Sequence, residues 1–319
     1  MISNNPAGSM PVAVIIRNHL AIEFVTLNTA NHSTKNLRPW LTLCTLLFCV
    51  LIGGCHSLFF YPQSPHLSSP SEFGYNYDDV FINTSDGVQV HGWLIKPNER
   101  AVGTIYFLHG NAENISTHFR AVLWLVDQNY QVFALDYRGY GLSQGVATLP
   151  EVFLDIQAGS QWLSQHARQN ATNDPLPVYL FGQSLGASLA VKYAELEADF
   201  SELFNGLILE APFSRYDRIA KHVASRHWLT WAAQYPALWL INDDYDPVDA
   251  VDKLTNTPLM VIHSDEDQVV PPSFGRAVFD AANEPKIWIE TTGPHIRAAA
   301  QASVRQQILD FLKHYAGDT

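Results

Sequence analysis

The chain has 319 residues, 47% of them hydrophobic, 12% aromatic and 16% charged. That balance supplies a sizeable core and excludes a disordered, collagen-like or polytopic membrane protein. The formal net charge of −12 is unevenly placed: residues 1–54 hold Arg17, Lys35 and Arg38 against Glu23 alone, so the remainder carries −14. A body this acidic is no partner for nucleic acid, whose phosphates need clustered Lys and Arg.

The first element is an apolar run, Leu41 to Ile52, preceded by Lys35 and Arg38. It has the length of a signal-peptide hydrophobic region and is short for a membrane span. Leu51-Ile52-Gly53-Gly54-Cys55 follows and resembles a bacterial lipobox, in which the cysteine is lipidated and becomes the new N-terminus. Residues 1–54 are therefore expected to be an N-terminal extension and signal peptide, with Cys55 the lipidation site. His56 in the next position, where Asp would otherwise redirect sorting, implies an outer-membrane lipoprotein facing the periplasm of a bacterial envelope. The alternative is an uncleaved single-pass anchor over Trp40–Tyr61. Residues 1–34 exceed what a signal peptide needs, and the expectation is a start site assigned too far upstream. Cys44, Cys49 and Cys55 are the only cysteines, so neither a disulfide framework nor a Cys/His zinc pattern can be drawn.

Residues 55–72, rich in Pro and Ser, are expected to be a tether. A strand pair, Val80–Asn83 and Val88–Ile95, then flanks the turn Ser85-Asp86-Gly87 and is read as a half-buried antiparallel edge. Beyond Pro97, short apolar runs alternate with helical periods. The runs are 103–108, 132–136, 178–181, 207–209, 258–262 and 286–289. The helices are expected at 115–128, 149–169, 185–197, 272–282 and 298–315. This alternation predicts an α/β fold, a mostly parallel sheet with helices on both faces, over 73–319. Residues 213–256 interrupt the rhythm and carry Phe213, Tyr216, Trp228, Trp231, Tyr235, Trp239 and Tyr245. They are read either as a small helical lid over a site or as an insertion packed on the core.

Gly182-Gln183-Ser184-Leu185-Gly186 ends one apolar run and opens the next helix. A turn this sharp needs small residues beside the serine, and it lifts the hydroxyl out at the carboxyl edge of a sheet. The helix N-terminus behind it favours developing negative charge. Ser184 is thus the candidate nucleophile. Gly139-x-Gly141-x-x-x-Gly145 only loosely resembles a dinucleotide loop, because the preceding run is not the first parallel strand and Pro150 delays the helix. No organic cofactor or metal is expected.

Four blocks, HGNA at 109–112, DYRGYG at 136–141, GQSLG at 182–186 and HSDEDQVVPP at 263–272, resemble the α/β-hydrolase superfamily, in its serine aminopeptidase-like or lysophospholipase-like branch. The resemblance implies the order serine, acid, histidine. His295 is then the general base, placed in a loop after a late strand. Asp267 is its orienting acid, with Asp265 and Glu210 as rivals. It also implies an oxyanion hole from the backbone N–H groups of Leu185 and Asn111, with Ala112 the next choice for the second. His109 is then structural. Three positions depart from the family pattern: Ser264 and Pro294 stand where Gly is frequent, and Glu113 adds a charge in the oxyanion loop. The implied activity is a serine hydrolase cleaving esters or thioesters of an apolar acyl or aryl substrate through an acyl-enzyme. Amidase or aminopeptidase action is the alternative, with Asp243, Asp244 and Asp246 as acidic candidates for holding an amine. A catalytically silent lipid-binding envelope protein is the third reading. Protein partners are not legible.

Overall fold

The computed structural model describes residues 59–170, 176–226 and 243–317. The apolar run at 41–52, Cys55, and the lid aromatics Trp228, Trp231, Tyr235 and Trp239 lie outside the described residues.

Eight strands form one sheet in the order β1-β2-β4-β3-β5-β6-β7-β8. They are β1 Asn76–Asn83, β2 Gln89–Lys96, β3 Gly103–Leu108, β4 Tyr130–Asp136, β5 Val178–Gln183, β6 Gly206–Glu210, β7 Leu259–Ser264 and β8 Lys286–Thr291. β2 pairs antiparallel with β1 and β4, and every other neighbouring pair is parallel. Each apolar run of the sequence is one of these strands. The central ones are buried along their whole length, as strands covered on both faces must be. Successive side chains go to opposite faces: Tyr106, Leu135, Leu180 and Leu209 join one core, while Phe107, Ala134, Phe181 and Ile208 join the other. The expected edge hairpin is half right. β1 is an exposed edge, but β2 lies between β1 and β4 and is buried, because Val90, Trp93, Leu94 and Ile95 serve both cores.

The long helices α3 Val152–Asn170, α4 Leu185–Leu196, α8 Pro272–Ala281 and α9 Ala302–His314 fall where the periodicity places them. The helix expected at 115–128 is broken into α1 Ile115–His118, a 3-10 turn at Phe119–Ala121 and α2 Leu123–Val126. Ile115, Phe119, Val122, Leu123, Leu125 and Val126 are all buried, a wider apolar arc than a surface helix usually turns to the core, and the 3-10 turn re-aims it. α5 Phe200–Leu203, α6 Tyr216–Ser225 and α7 Pro247–Val251 complete the described α-helices, and short 3-10 helices lie at Pro70–Phe73 and Ala298–Ala300.

From Phe59 onward, the segment expected as a tether is packed on the domain. Phe60 is buried, and Gln63 N–H donates to Glu113 O at 3.2 Å. The Gln63 carbonyl accepts from Gly141 N–H at 3.0 Å, and Leu67 N–H donates to Ser116 Oγ at 2.9 Å. Residues 59–69 thus form a strap across the loops that follow β3 and β4. The described lid aromatics also turn inward: Phe213 and Tyr216 are buried and touch edge to face, and Tyr245 packs on Phe153. They belong to the core.

Candidate active site

In a parallel sheet the carboxyl ends of neighbouring strands share one edge, and loops leaving it bring distant sequence together. Ser184 follows β5 directly, Asp267 follows β7, and His295 follows β8. Three of the last four strands in the sheet order thus deliver the three sequence-predicted residues to the same edge.

Ser184 stands at φ 53°, ψ −114°, a strained conformation for a residue with a Cβ. The glycines around it make the turn possible. A Cβ on Gly186 would fall 2.2 Å from Leu108 O, and one on Gly182 would fall 2.4 Å from Gly186 O. Ser184 N–H donates to Glu210 O at 2.8 Å, fixing the turn to β6. Other non-glycine residues with positive φ stand in the loops beside it: Ala112, Glu113, Ala211 and Ile296, the residue after His295. Backbone strain gathered in this way is characteristic of functional sites.

His295 Nδ1 and Asp267 Oδ2 are 2.6 Å apart, and the Asp267 carboxylate has no exposed surface. Its other oxygen, Oδ1, accepts from Val269 N–H at 2.8 Å and Val270 N–H at 2.9 Å. Burial alone would raise the Asp267 pKa, but the His295 hydrogen bond and charge and these two N–H groups outweigh it and hold it below the usual value. An ionised acceptor fixes hydrogen on His295 Nδ1 and leaves Nε2 as a base. No hydrogen bond joins Ser184 Oγ to His295 among the described residues, so of the three residues named from the sequence only Asp267 and His295 are directly joined. Catalytic contacts of this kind often tighten only with substrate bound.

The rival acids have other occupations. Asp265 is exposed. Glu210 is buried, and burial raises its pKa. Its carboxylate accepts from Gln183 Nε2 at 2.6 Å and from Ala298 N–H at 2.9 Å. It therefore braces the serine turn against the histidine loop. Ser264, a departure from the family pattern, is a second brace: its Oγ donates to Gly293 O at 2.5 Å, while Glu266 Oε2 accepts from Gly293 N–H at 2.7 Å. The loops that carry Asp267 and His295 are stapled twice. Neither Glu266 nor Glu210's bracing role carries a local sequence signal, because their partners are distant in the chain.

In the loop after β3, Asn111 Oδ1 accepts from Ala112 N–H at 2.8 Å, Tyr61 N–H at 2.9 Å and Tyr140 Oη at 3.0 Å. Ala112 N–H is thereby occupied, which favours Asn111 as the main-chain donor. His109 is fully buried, its pKa lowered to about 4 chiefly by that burial, and its Nδ1 donates to Gly110 O at 2.7 Å. His118 escaped the sequence reading. Its ring lies against the position a Gly110 Cβ would take, 3.2 Å from it, and burial lowers its pKa. Of the acidic candidates near the lid, Asp246 is committed elsewhere: it pairs with Arg215 at 2.9 Å and accepts from Tyr216 N–H at 2.8 Å at the start of α6.

The sheet order and the serine turn now decide the architecture. The chain has the α/β-hydrolase fold. Among solved structures, an esterase of Pyrococcus furiosus superposes with a TM-score of 0.66 at 20% identity, over 81% of this chain and 99% of that one. The family model described as serine aminopeptidase, S33, matches residues 99–252. That span holds Ser184 and stops before Asp267 and His295. The Escherichia coli (strain K12) protein YfhR is 28% identical over 279 residues, covering 85% of this chain and 92% of that protein. The Arabidopsis thaliana α/β hydrolase domain-containing protein WAV2 is 28% identical over 235 residues, 70% of this chain and 74% of that protein. Among the described residues, no helix of this α/β-hydrolase fold is long and apolar enough to cross a membrane.

Proposed function

We propose that this chain is a serine hydrolase that cleaves an ester or thioester through an acyl-enzyme on Ser184. Ser184 Oγ attacks the carbonyl carbon while His295 Nε2 takes its proton, and Asp267 stabilises the imidazolium. The N–H groups of Leu185 and Asn111 receive the oxyanion. Collapse expels the alcohol or thiol, protonated by His295, and water activated by the same ring releases the acid. The observation that carries this reading is the 2.6 Å Asp267–His295 bond at the sheet edge that also presents the strained Ser184. The hydrolase family match and the esterase likeness support it.

Ester cleavage is preferred over aminopeptidase action because Asp246, the buried member of the acidic group, is already matched by Arg215. The described lid aromatics are core residues, so preference for an apolar acyl group rests on Trp228, Trp231, Tyr235 and Trp239, outside the described residues. A panel of p-nitrophenyl esters of graded chain length beside aminoacyl amides tests both points. Turnover of esters with an optimum at a medium or long chain agrees with the proposal, and faster turnover of the amides contradicts it. The envelope address is likewise proposed, with Cys55 as the lipidated residue. Labelled palmitate should enter the wild-type chain in a bacterial host and be lost in Cys55→Ala; equal labelling of both overturns it.

A further inference from the structure

The register of β2 against β4 sets His91 directly opposite Asp136, and the strap lays His66 over the pair. One ring nitrogen each of His66 and His91 and an Asp136 carboxylate oxygen lie within 4.8 Å of one another. His91 and Asp136 have no exposed side-chain surface, and His66 is 17% exposed, at the mouth of the cluster.

Hydrogen bonding assigns the hydrogens. Asp79 Oδ1 lies 2.8 Å from His91 Nε2 and also accepts from Trp93 Nε1 at 2.9 Å. A carboxylate only accepts, so His91 carries its hydrogen on Nε2, and a neutral ring turns the Nδ1 lone pair inward. That nitrogen has no hydrogen-bond partner among the described residues and faces Asp136 Oδ2 at 3.8 Å. With the ring neutral, two acceptors face each other in a fully buried place, an arrangement that costs free energy unless something positive lies between them. Asp136 Oδ2 also takes the His66 Nε2 hydrogen at 3.0 Å, while Oδ1 is occupied by Ile115 N–H at 2.8 Å. His109 Nε2, likewise without a partner, stands 3.6 Å from Oδ1.

We propose that His66, His91 and Asp136 form a binding site for a divalent transition cation of the zinc class, which locks the strap to the sheet. Two imidazoles and a carboxylate are ligands suited to zinc, and tetrahedral bonds of about 2.0–2.1 Å place ligand atoms about 3.3 Å apart. The observed 3.0 and 3.8 Å to Asp136 Oδ2 bracket that spacing, and with all three ligand atoms within 4.8 Å of one another, closing the third edge requires the two imidazoles to draw together by up to about 1.5 Å. Binding displaces the His66 Nε2 proton to solvent. The Asp79–His91 hydrogen bond is the outer contact that orients a metal-binding imidazole. Gly141 leaves the room: a Cβ there would fall 1.8 Å from Asp136 Oδ2 and 2.6 Å from His66 Nε2. The strap held in this way contacts Asn111 and Glu113, so the cation supports the oxyanion loop without touching substrate.

The probe is Zn²⁺ added to the full chain after chelation, read by a competing indicator and by thermal unfolding, with Co²⁺ as a spectroscopic substitute. One equivalent should bind per chain, raise Tm and, as Co²⁺, give the intense visible absorption of a four-coordinate site. His66→Ala should abolish the Co²⁺ band. Asp79→Asn, which leaves all three ligands and the strap in place, should weaken binding about 10–100-fold. Absence of stoichiometric binding to the wild type overturns the proposal. Unchanged binding in both variants also overturns it, placing the ion on other histidines. Both readouts are independent of hydrolysis.

Discussion

At the scale of single residues, the site separates two buried carboxylates by what they touch. Asp267 meets His295 and two backbone N–H groups, whereas Glu210 meets Gln183 and Ala298. Asp267→Asn keeps the shape but no longer fixes the imidazole tautomer, and it is expected to lower kcat about 10⁴-fold. Glu210→Gln retains an oxygen for Ala298 N–H, and its new amide can donate to Gln183 Oε1, which has no partner among the described residues, once Gln183 flips. It is therefore expected to stay within about tenfold of the wild type. Steady-state kinetics on one ester decides: the reverse ranking would move the acid to Glu210. Ser264→Ala removes the Oγ staple to Gly293 and is expected to cost about 1 kcal/mol, a fall in Tm of about 2–4 °C, with a loss in kcat larger than any change in KM. A change in KM alone would show that the staple does not orient the base loop.

At the scale of elements, one turn does more than reverse the chain. The sequence presents Ser85-Asp86-Gly87 as a hairpin turn, and Gly87 does adopt φ +84°. Asp86 also accepts from Thr84 Oγ1 and from Arg138 Nη1 at 2.8 Å, and Arg138 is paired in turn with buried Asp155 at 2.8 Å. The turn is thereby tied to the loop after β4. Hydrogen bonds from Arg138 and then Thr84 lower the Asp86 pKa to about 2. A depressed carboxylate contributes stability that is present above its unfolded value, near 3.8–3.9, and is lost as pH falls toward 2. Asp86 is partly exposed, so the contribution is screened. The slope of Tm against pH between about 4 and 2 should be shallower in Asp86→Asn than in the wild type, and parallel slopes would remove Asp86 from the acid response. Arg138 and Asp155 lie 17 residues apart and Arg138 and Asp86 lie 52 apart, so no local pattern announces this network.

At the scale of the whole molecule, the parts legible in the sequence are those with strong local periodicity or sterics. The buried strands announced themselves as apolar runs, and Gly182 and Gly186 marked the serine turn because backbone atoms occupy the space a Cβ would need. Ser184, Asp267 and His295 were named from the turn and from resemblance, and the topology brings their loops to one edge. What stayed illegible depends on contacts between distant segments. The strap reads as a Pro/Ser-rich spacer, yet Phe60 is buried and the backbone at Tyr61 and Gln63 reaches the loop after β3. The aromatic insertion reads equally as a lid or as a segment packed on the core, and its described residues Phe213 and Tyr216 pack in the core. His66, His91 and Asp136 meet only because a strap crosses an antiparallel pair.

The whole reading turns on Ser184 being a nucleophile activated by His295. Intact-mass spectrometry of the folded chain after treatment with a fluorophosphonate measures this directly. A single adduct located at Ser184, absent in Ser184→Ala and formed at least about 10³-fold more slowly in His295→Ala, is the expected result. A folded wild-type chain with no adduct at Ser184, or one labelled no faster than His295→Ala, would contradict it.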